Sequence, residues 1–465
     1  MENNYTQNSL TGEIVISPER LSSLIEEKKY QQLKEILTLL PPPDLAELFD
    51  ELDEKNHILL FRLLHKEQAA EVFVWLDSDL QKRLIDSFSD KELSSVLDEL
   101  YIDDTVDLIE EMPAMVVKRI IKQSSKENRE DINKILRYPK DSAGSLMTTE
   151  YVRLNQNMTV EEALIHIRSV AIDKETIYTC YVTESDKRLI GIVTAKRLLL
   201  ADPDTPLGEI MDTNVIKLHT HEDREEAAAK FDKYGFIAMP VVDSEGRLVG
   251  IITIDDALEV LKEESEEDFA KMAAITPSEE PYLKTDVFSI WRARIPWLLI
   301  LMISSTLSSA ILTGFESALP AVLVLFIPMI MGTAGNSGGQ SSVTVIRGIS
   351  LSELEISDLL RVFWKELRVG ILCSVSVGIA TFLKVWLIDG LLLANDAVNL
   401  IVALTVALSL SLTIILAKII GATLPLIAKK IGLDPAVMAS PLITTLVDAV
   451  SLVVYFFVAS NVLNL

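Results

Sequence analysis

A chain of 465 residues with 68 acidic against 43 basic side chains has room for several domains and carries a net charge of −25. A field of that sign argues against nucleic acid or anionic lipid as partner and favours cations. From Asp286 onward ten acids balance ten bases, so the whole excess lies on the first 285 residues. The two cysteines, Cys180 and Cys373, stand far apart with no metal-ligand spacing, which fits reduced thiols in a cytosol. The opening MENNYTQNSL has no basic, apolar leader.

The first segment is repetitive. LSSLIEEK begins at Leu21, LAELFDEL at Leu45, AAEVFVWL at Ala69, LSSVLDEL at Leu93 and VKRIIKQS at Val117, each 24 residues after the last. A second series keeps that period at Ile36, Leu60, Leu84, Leu108 and Ile132. Each unit reads as two short amphipathic helices. Ser17-Pro18 opens the array, and Pro41-Pro42-Pro43-Asp44 breaks one helix and caps the next. Such units bury their faces only by stacking, so an all-α superhelical array is expected. Asp103, Asp104 and Asp107 open one helix. Asp103 and Asp107, one turn apart, either share a cation or are first-turn acids favoured by the helix dipole.

After Tyr138-Pro139-Lys140-Asp141 an α/β module appears twice. MTTEYVRLNQNMTVEEA from Met147 matches MDTNVIKLHTHEDREEA from Met211, and IYTCYVTESDKRLIGIVTAKR from Ile177 matches FIAMPVVDSEGRLVGIITIDD from Phe236. Each copy reads strand, helix, strand, turn, strand, helix, with hairpin turns at Asp186-Lys187 and Glu245-Gly246. The G-I-[IV]-T strand followed by T-x-x-D resembles a tandem pair of CBS domains, whose cleft takes adenosine nucleotides such as ATP, with that Asp on the ribose. The second copy keeps the pattern at Thr253 and Asp256; in the first, Arg197 stands where the acid is expected. A purely structural relay is the other reading of the pair.

The run from Asp255 to Asp268 holds eight carboxylates, among them Asp256, Glu259, Glu264, Glu267 and Asp268. Leu258, Val260, Leu261, Phe269 and Met272 supply an apolar edge, so the run reads as a helix. Like charges at i, i+4 repel, so something positive should meet them. Hard divalent cations suit such oxygen donors; a solvated linker is the alternative.

Five apolar segments follow, at 296–312, 318–333 with a polar continuation, 369–388, 398–420 and 442–463. Arg347, Arg361, Lys365 and Arg368, then Lys429 and Lys430, place two basic loops and the acidic half in the cytosol and the C-terminus outside a cytoplasmic membrane. Gly332 to Ser342 is rich in glycine and small hydroxyls, which together with Asp448 in the last segment read as a polar, water-filled path lined by the second and fifth helices, close packing of small residues being the alternative. No paired basic residues are read in these spans. The last segment carries Asp448 at its middle, on one face with Pro441, Thr444 and Thr445. An ionised Asp there costs ~2.5 kcal/mol or more unless compensated. One carboxylate per chain is thin for a divalent ion, so a homodimer with the path on its axis is expected.

The order of parts resembles the MgtE family of magnesium transporters and channels across about residues 20–463, with GFES, GTAGNSGGQS, GLDPAV and PLITTLVDAV as the most specific matches. The resemblance implies a Mg2+-selective homodimeric pore, closed when cytosolic Mg2+ binds between the helical domain, the CBS pair and the acidic plug helix. It assigns Asp448, with Thr444, Thr445 and Asn336, to the pore. It assigns Asp103, Asp107, Asp256, Glu259, Glu264, Glu267, Asp268 and Asp434 to regulatory Mg2+. Gly339 stands where the family commonly has Asn. The expected layout is a tail over 1–16, helical repeats over 17–140, CBS domains over 141–203 and 204–261, plug helix and connector over 262–285 and a five-span pore domain over 286–465. Rival readings are a less selective Co2+, Mn2+ or Ni2+ importer and a membrane-anchored nucleotide sensor that moves no ion. No nucleophile–base pair, P-loop or zinc spacing appears, so no enzyme is expected.

Overall fold

The computed structural model describes residues 6–7, 14–15, 17–278, 282–315, 320–351, 353–393, 397–438 and 440–463. Most of the expected tail over 1–16, and Glu316-Ser317 of GFES, lie outside them. The chain forms two compact units, Met1–Leu261 and Lys262–Leu465.

In the first unit the 24-residue period becomes helices. One series starts at Pro18, Pro42, Lys66, Asp90 and Ala114; the other starts at Tyr30, Glu54, Ser78, Ile102 and Lys126. Leu21, Leu45 and Leu93 of the first series and Ile36, Leu60, Leu84, Leu108 and Ile132 of the second are buried, which is what a shared core between stacked units demands. Ser17 caps the array through its hydroxyl, which accepts from Arg20 N at 3.4 Å. The triple proline differs from the expectation: Pro41 is the cap residue and Asp44 lies inside the first turn, so its carboxylate acts on the dipole rather than as a cap. One helix of the array, α1 (Ile102–Glu111), carries three acids near its start.

The CBS-like pair follows as two three-stranded sheets. β1 (Tyr151–Asn155) runs parallel to β2 (Thr176–Thr183), which pairs antiparallel with β3 (Leu189–Thr194). The second sheet repeats this with β4 (Leu218–His219), β5 (Ala238–Val242) and β6 (Leu248–Thr253). Helices α2 (Val160–Val170) and α3 (Ala195–Leu200) belong to the first copy, α4 (Arg224–Tyr234) to the second. The hairpin turns carry positive φ at Lys187 and Gly246; glycine takes that conformation freely, whereas lysine rarely adopts it. The copies are interlaced. Thr148, just before β1 of the first copy, exchanges backbone bonds of 2.8 and 2.9 Å with Ile251 of the second, and Asp212 of the second does the same with Ile192 of the first at 2.9 Å. The motif glycine is there for this crossing: a Cβ on Gly250 would lie 2.6 Å from Met147 Sδ, and one on Gly191 would lie 2.7 Å from Met211 Sδ.

Helix α5 (Ile254–Met272) runs across the division between the units. Its expected apolar edge is only partly used. Val260 is buried, whereas Leu258 and Phe269 are exposed. They alternate with the carboxylates and share the solvated side of the helix.

The second unit contains five helical stretches long and apolar enough to cross a membrane: Val287–Phe315, Ala321–Ser350, Ile356–Leu392, Leu400–Lys430 and Pro435–Leu463. The first divides into α6 (Val287–Ser304) and α7 (Thr306–Phe315). The principal helices of the others are α8 (Ile327–Ser350), α9 (Leu359–Leu383), α10 (Leu400–Lys430) and α11 (Ser440–Leu463). Arg347 and Arg361 lie within α8 and α9 rather than in a loop, because these helices outrun the apolar stretch. The polar stretch 332–342 is continuous helix, so its backbone is not freed to line a cavity, and its glycines serve close packing. A Cβ on Gly421 of α10 would fall 2.2 Å from Gly338 O, and one on Gly335 would fall 2.9 Å from Thr444 Cγ2 on α11. Tyr455 Oη donates to Leu323 O at 2.8 Å, and Phe456 stacks on Phe315 with centroids 4.4 Å apart, tying α11 to the segments before it.

Candidate metal sites

Two acidic groups and one membrane carboxylate emerge. In the first unit, α1 and the head of α5 bring Asp103, Asp104, Asp107, Asp255, Asp256 and Glu259 into one electrostatic neighbourhood. Asp103 is buried, 6% exposed, and its Oδ1 accepts from Asp104 N at 3.0 Å. Burial first, then Asp256, Asp104 and Glu175, push its carboxyl well above the usual carboxylate range. Burial and then Asp255 push Asp104 up to about 6. Asp256 is pushed up to about 7 by burial, a rise its bonds from Thr253 oppose. Asp107 lies at the open edge. Desolvation among its neighbours, then Asp256 and Glu259, raise its carboxyl, and solvent at the edge moderates that rise.

Two acids that the sequence did not single out complete this group. Asp103, Glu150 and Glu175 each offer an oxygen, and these oxygens lie within 4.8 Å of one another. Glu150 Oε2 accepts from Ile102 N at 3.0 Å and from Thr148 Oγ1 at 3.3 Å. Glu175 Oε2 is buried with no hydrogen-bond partner among the described residues. Burial, then Asp104 and Asp255, push its carboxyl up to about 8. Like charges do not crowd this way at no cost; a divalent cation with hard oxygen ligands answers both the repulsion and the orphaned oxygen.

At the CBS-like motif, Thr253 Oγ1 donates to Asp256 Oδ2 at 2.7 Å and Thr253 N donates to the same oxygen at 3.3 Å. The T-x-x-D motif thus fixes its own aspartate at the head of α5. In the first copy Thr194 Oγ1 accepts from Arg197 N at 3.3 Å, and no acid answers.

The second acidic group lies wholly in the second unit. Glu264, Glu267 and Asp268 are half-buried on α5. Lys271, which the sequence reading passed over, joins Glu267 Oε1 at 2.8 Å and Asp434 Oδ2 at 2.7 Å. Desolvation disfavours its ammonium, but Asp434 and Glu267 outweigh that and its pKa is raised. Ser350 Oγ donates to Asp268 Oδ2 at 2.8 Å, while burial raises the Asp268 carboxyl. Met272 packs against Ile346 and Ala436. The eight expected regulatory acids therefore fall into two groups, because α5 distributes its five, Asp256 to Asp268, along about 18 Å of helix at ~1.5 Å per residue.

Within the spans, Thr444, Thr445 and Asp448 share one face of α11, and Gly335 of α8 presses on Thr444. Thr445 Oγ1 is turned back onto Pro441 O at 3.1 Å. Asp448 Oδ1 is buried with no hydrogen-bond partner among the described residues. Asn336, next to Gly335, is exposed on α8 and continues into a polar exposed stripe with Gln340 and Thr344. Gly339 is buried. Two separate bases that the sequence reading passed over lie within the helices of the spans: Lys418 is buried on α10 and bonded to Ser341, and Lys384 pairs with Asp389 at 2.7 Å. Each is a single charge inside an otherwise apolar window, which averaging hides.

Family models match three parts of the chain: MgtE, described as a divalent cation transporter, over 327–458; the MgtE intracellular N domain over 40–141; and CBS domains over 143–204 and 207–263. The chain is 37% identical to the magnesium transporter MgtE of Thermus thermophilus over 96% of this chain and 98% of that one. It is 31% identical to the magnesium transporter MgtE of Bacillus subtilis over 98% of each. Among solved structures, the cytosolic domain of the Mg2+ channel MgtE in complex with ATP aligns with a TM-score of 0.50 at 38% identity, covering 52% of this chain and all of that one. The soluble part of a magnesium transporter aligns with a TM-score of 0.50 at 28% identity, covering 53% and 98%.

Proposed function

The chain belongs to the MgtE family of magnesium transporters, and on that footing we propose that it carries Mg2+ into the cell as a homodimer whose path runs past Asp448 of each copy. The observation that carries this reading is the buried, unpartnered Asp448 oxygen on a span packed against the glycine face of α8, next to its exposed polar stripe. Mg2+ gives up water reluctantly, so its path holds a hydrated ion by hydrogen bonds rather than stripping it. Two Asp448 carboxylates, helped by Thr444, Thr445 and Asn336, offer acceptors for those waters and offset each other's cost only when a cation is present.

The acidic groups serve as the cytosolic sensor. Mg2+ bound by Asp103, Asp107, Asp256 and Glu259 stabilises the closed arrangement. Mg2+ bound by Glu264, Glu267, Asp268 and Asp434 pins α5. When cytosolic Mg2+ falls, carboxylates left without a cation repel and the closed state loses its advantage, a population shift by differential binding. The acidic half and both basic stretches face the cytosol in this scheme, with the C-terminus outside. An adenosine nucleotide such as ATP takes the second CBS half-site at Thr253 and Asp256. The relative crystallised with ATP supports this, and Arg197 argues for one half-site rather than two.

The test is Mg2+ flux in vesicles reconstituted with the full chain. Asp448→Ala is expected to abolish flux while the protein remains folded and dimeric. Wild-type flux from that variant overturns the pore assignment.

A further inference from the structure

Lys418 lies on α10 about 18 Å of helix before its end at Lys430. It is 5% exposed, although a charged side chain inside a span is expensive and marks a functional position with a partner. Its Nζ donates to Ser341 Oγ on α8 at 3.4 Å, and the Ser341 hydroxyl donates to Glu366 Oε2 on α9 at 2.7 Å. A hydroxyl has one proton to give and lone pairs to receive, so both bonds run one way, from ammonium through hydroxyl to carboxylate.

The helices are brought together for this. Gly338, three residues before Ser341, meets Gly421 and the Ala417 carbonyl, on either side of Lys418, so both contacts belong to one close crossing of α8 and α10. A Cβ on Gly370 of α9 would stand 3.8 Å from Lys418 Cβ, so the third helix closes on the same side chain. On its other side α8 is held by Ser342, whose Oγ donates to Met438 O at 3.3 Å in the turn before α11. What these bonds leave open on α8 is the polar stripe of Asn336, Gln340 and Thr344.

We propose that Lys418 is a positioning residue of the ion path: through Ser341 and Glu366 it fixes the rotation of α8, and with it the presentation of Asn336 to the passing ion. This rests on the reading of α8 and α11 as the path. The chain is polarised, since its first donor and last acceptor are both charged, and such bonds hold geometry more firmly than neutral ones. Its loss lets α8 turn, which weakens acquisition of the ion more than its passage.

The experiment measures Mg2+ flux into vesicles holding the full chain, over a range of external Mg2+, with protein amount set by the folded fraction. Ser341→Ala removes one oxygen and Lys418→Met keeps length and apolar bulk. Each is expected to raise the half-saturating Mg2+ concentration about tenfold, the size of one hydrogen bond to a charged group, with maximal flux within about twofold of wild type. The double variant should be no worse than either single one, because both cut the same chain. An unchanged half-saturation, a loss confined to maximal flux or folded amount, or effects that multiply in the double variant each overturn the proposal. Should Lys418→Met fail to fold, Ser341→Ala decides alone. Asp448→Ala, run in parallel, separates the two ideas. If it abolishes flux while Ser341→Ala leaves half-saturation unchanged, only the positioning role falls. If it leaves flux intact, the path itself is misassigned.

Discussion

At Gly421 a single hydrogen atom decides whether α8 and α10 can cross where they do. A methyl group there would sit 2.2 Å from Gly338 O, a backbone atom that no rotamer change can move aside. Overpacking of this kind costs typically 1–3 kcal/mol, at the order-of-magnitude level, and here it also pries apart Ser341 and Lys418. Gly421→Ala is therefore expected to lower the melting temperature of the full chain in detergent. Gly314→Ala, with nothing within 4 Å of the added carbon, should hold or slightly raise it. Equal effects at both sites would show that helix propensity, not the crossing, governs the glycine. The same logic makes Lys418 the residue that hydropathy misses. A window of about 19 residues averages one charge away, and only burial together with a bonded partner reveals it.

The element that carries most of the regulatory chemistry is α5. Several of its carboxylates sit at i, i+4 intervals, and Lys271, just past the last of them, binds Glu267 and Asp434 at once. An ammonium thus already occupies part of the space between two acids assigned to Mg2+. Neutralising Glu259, Glu264, Glu267 and Asp268 together should leave currents insensitive to cytosolic Mg2+ in patch recordings; inhibition with an unchanged midpoint would remove α5 from the sensor. How far such elements are legible follows from the range of the interactions that make them. The 24-residue helical period, the doubled α/β module and the five spans are local patterns, and each appears in the structure. Asp103 and Asp107 stand out as acids one turn apart at a helix start, Asp256 by T-x-x-D and Glu259 by the run of carboxylates. Glu150 and Glu175 do not, since a strand edge and a preceding loop bring them to Asp103 across 47 and 72 residues of chain, which no periodicity encodes. The stretch 332–342 had two readings until helix packing chose one, because glycine suits both an open backbone and a tight crossing.

For the molecule as a whole, the sign of the charge has a thermodynamic consequence on its acidic half. Glu175 at about 8, Asp256 at about 7 and Asp104 at about 6 all lie above their ordinary values of 4.5 or 3.8. An acid whose folded pKa exceeds its unfolded one binds its proton more tightly in the native state. The native state therefore holds more protons between those two values, and stability falls as pH rises across that interval. The contribution is fully present near the ordinary carboxylate range and is lost as pH passes through the folded values, a window from about 4 to about 8. Mg2+ requires the ionised oxygens, so it competes with protons and its stabilisation grows towards the alkaline end. Hydrogen exchange on the full chain in detergent, corrected for the intrinsic pH dependence of exchange, should show protection of α1 and β1 declining from about pH 5 to about pH 8 without Mg2+. Saturating Mg2+ should restore that protection at the upper pH and change little at the lower one. Protection that rises with pH in Mg2+-free solution would mean that these carboxylates are already compensated by something other than a proton or a metal. The crowding of Asp103, Glu150 and Glu175 would then be ordinary packing rather than a site waiting for a cation.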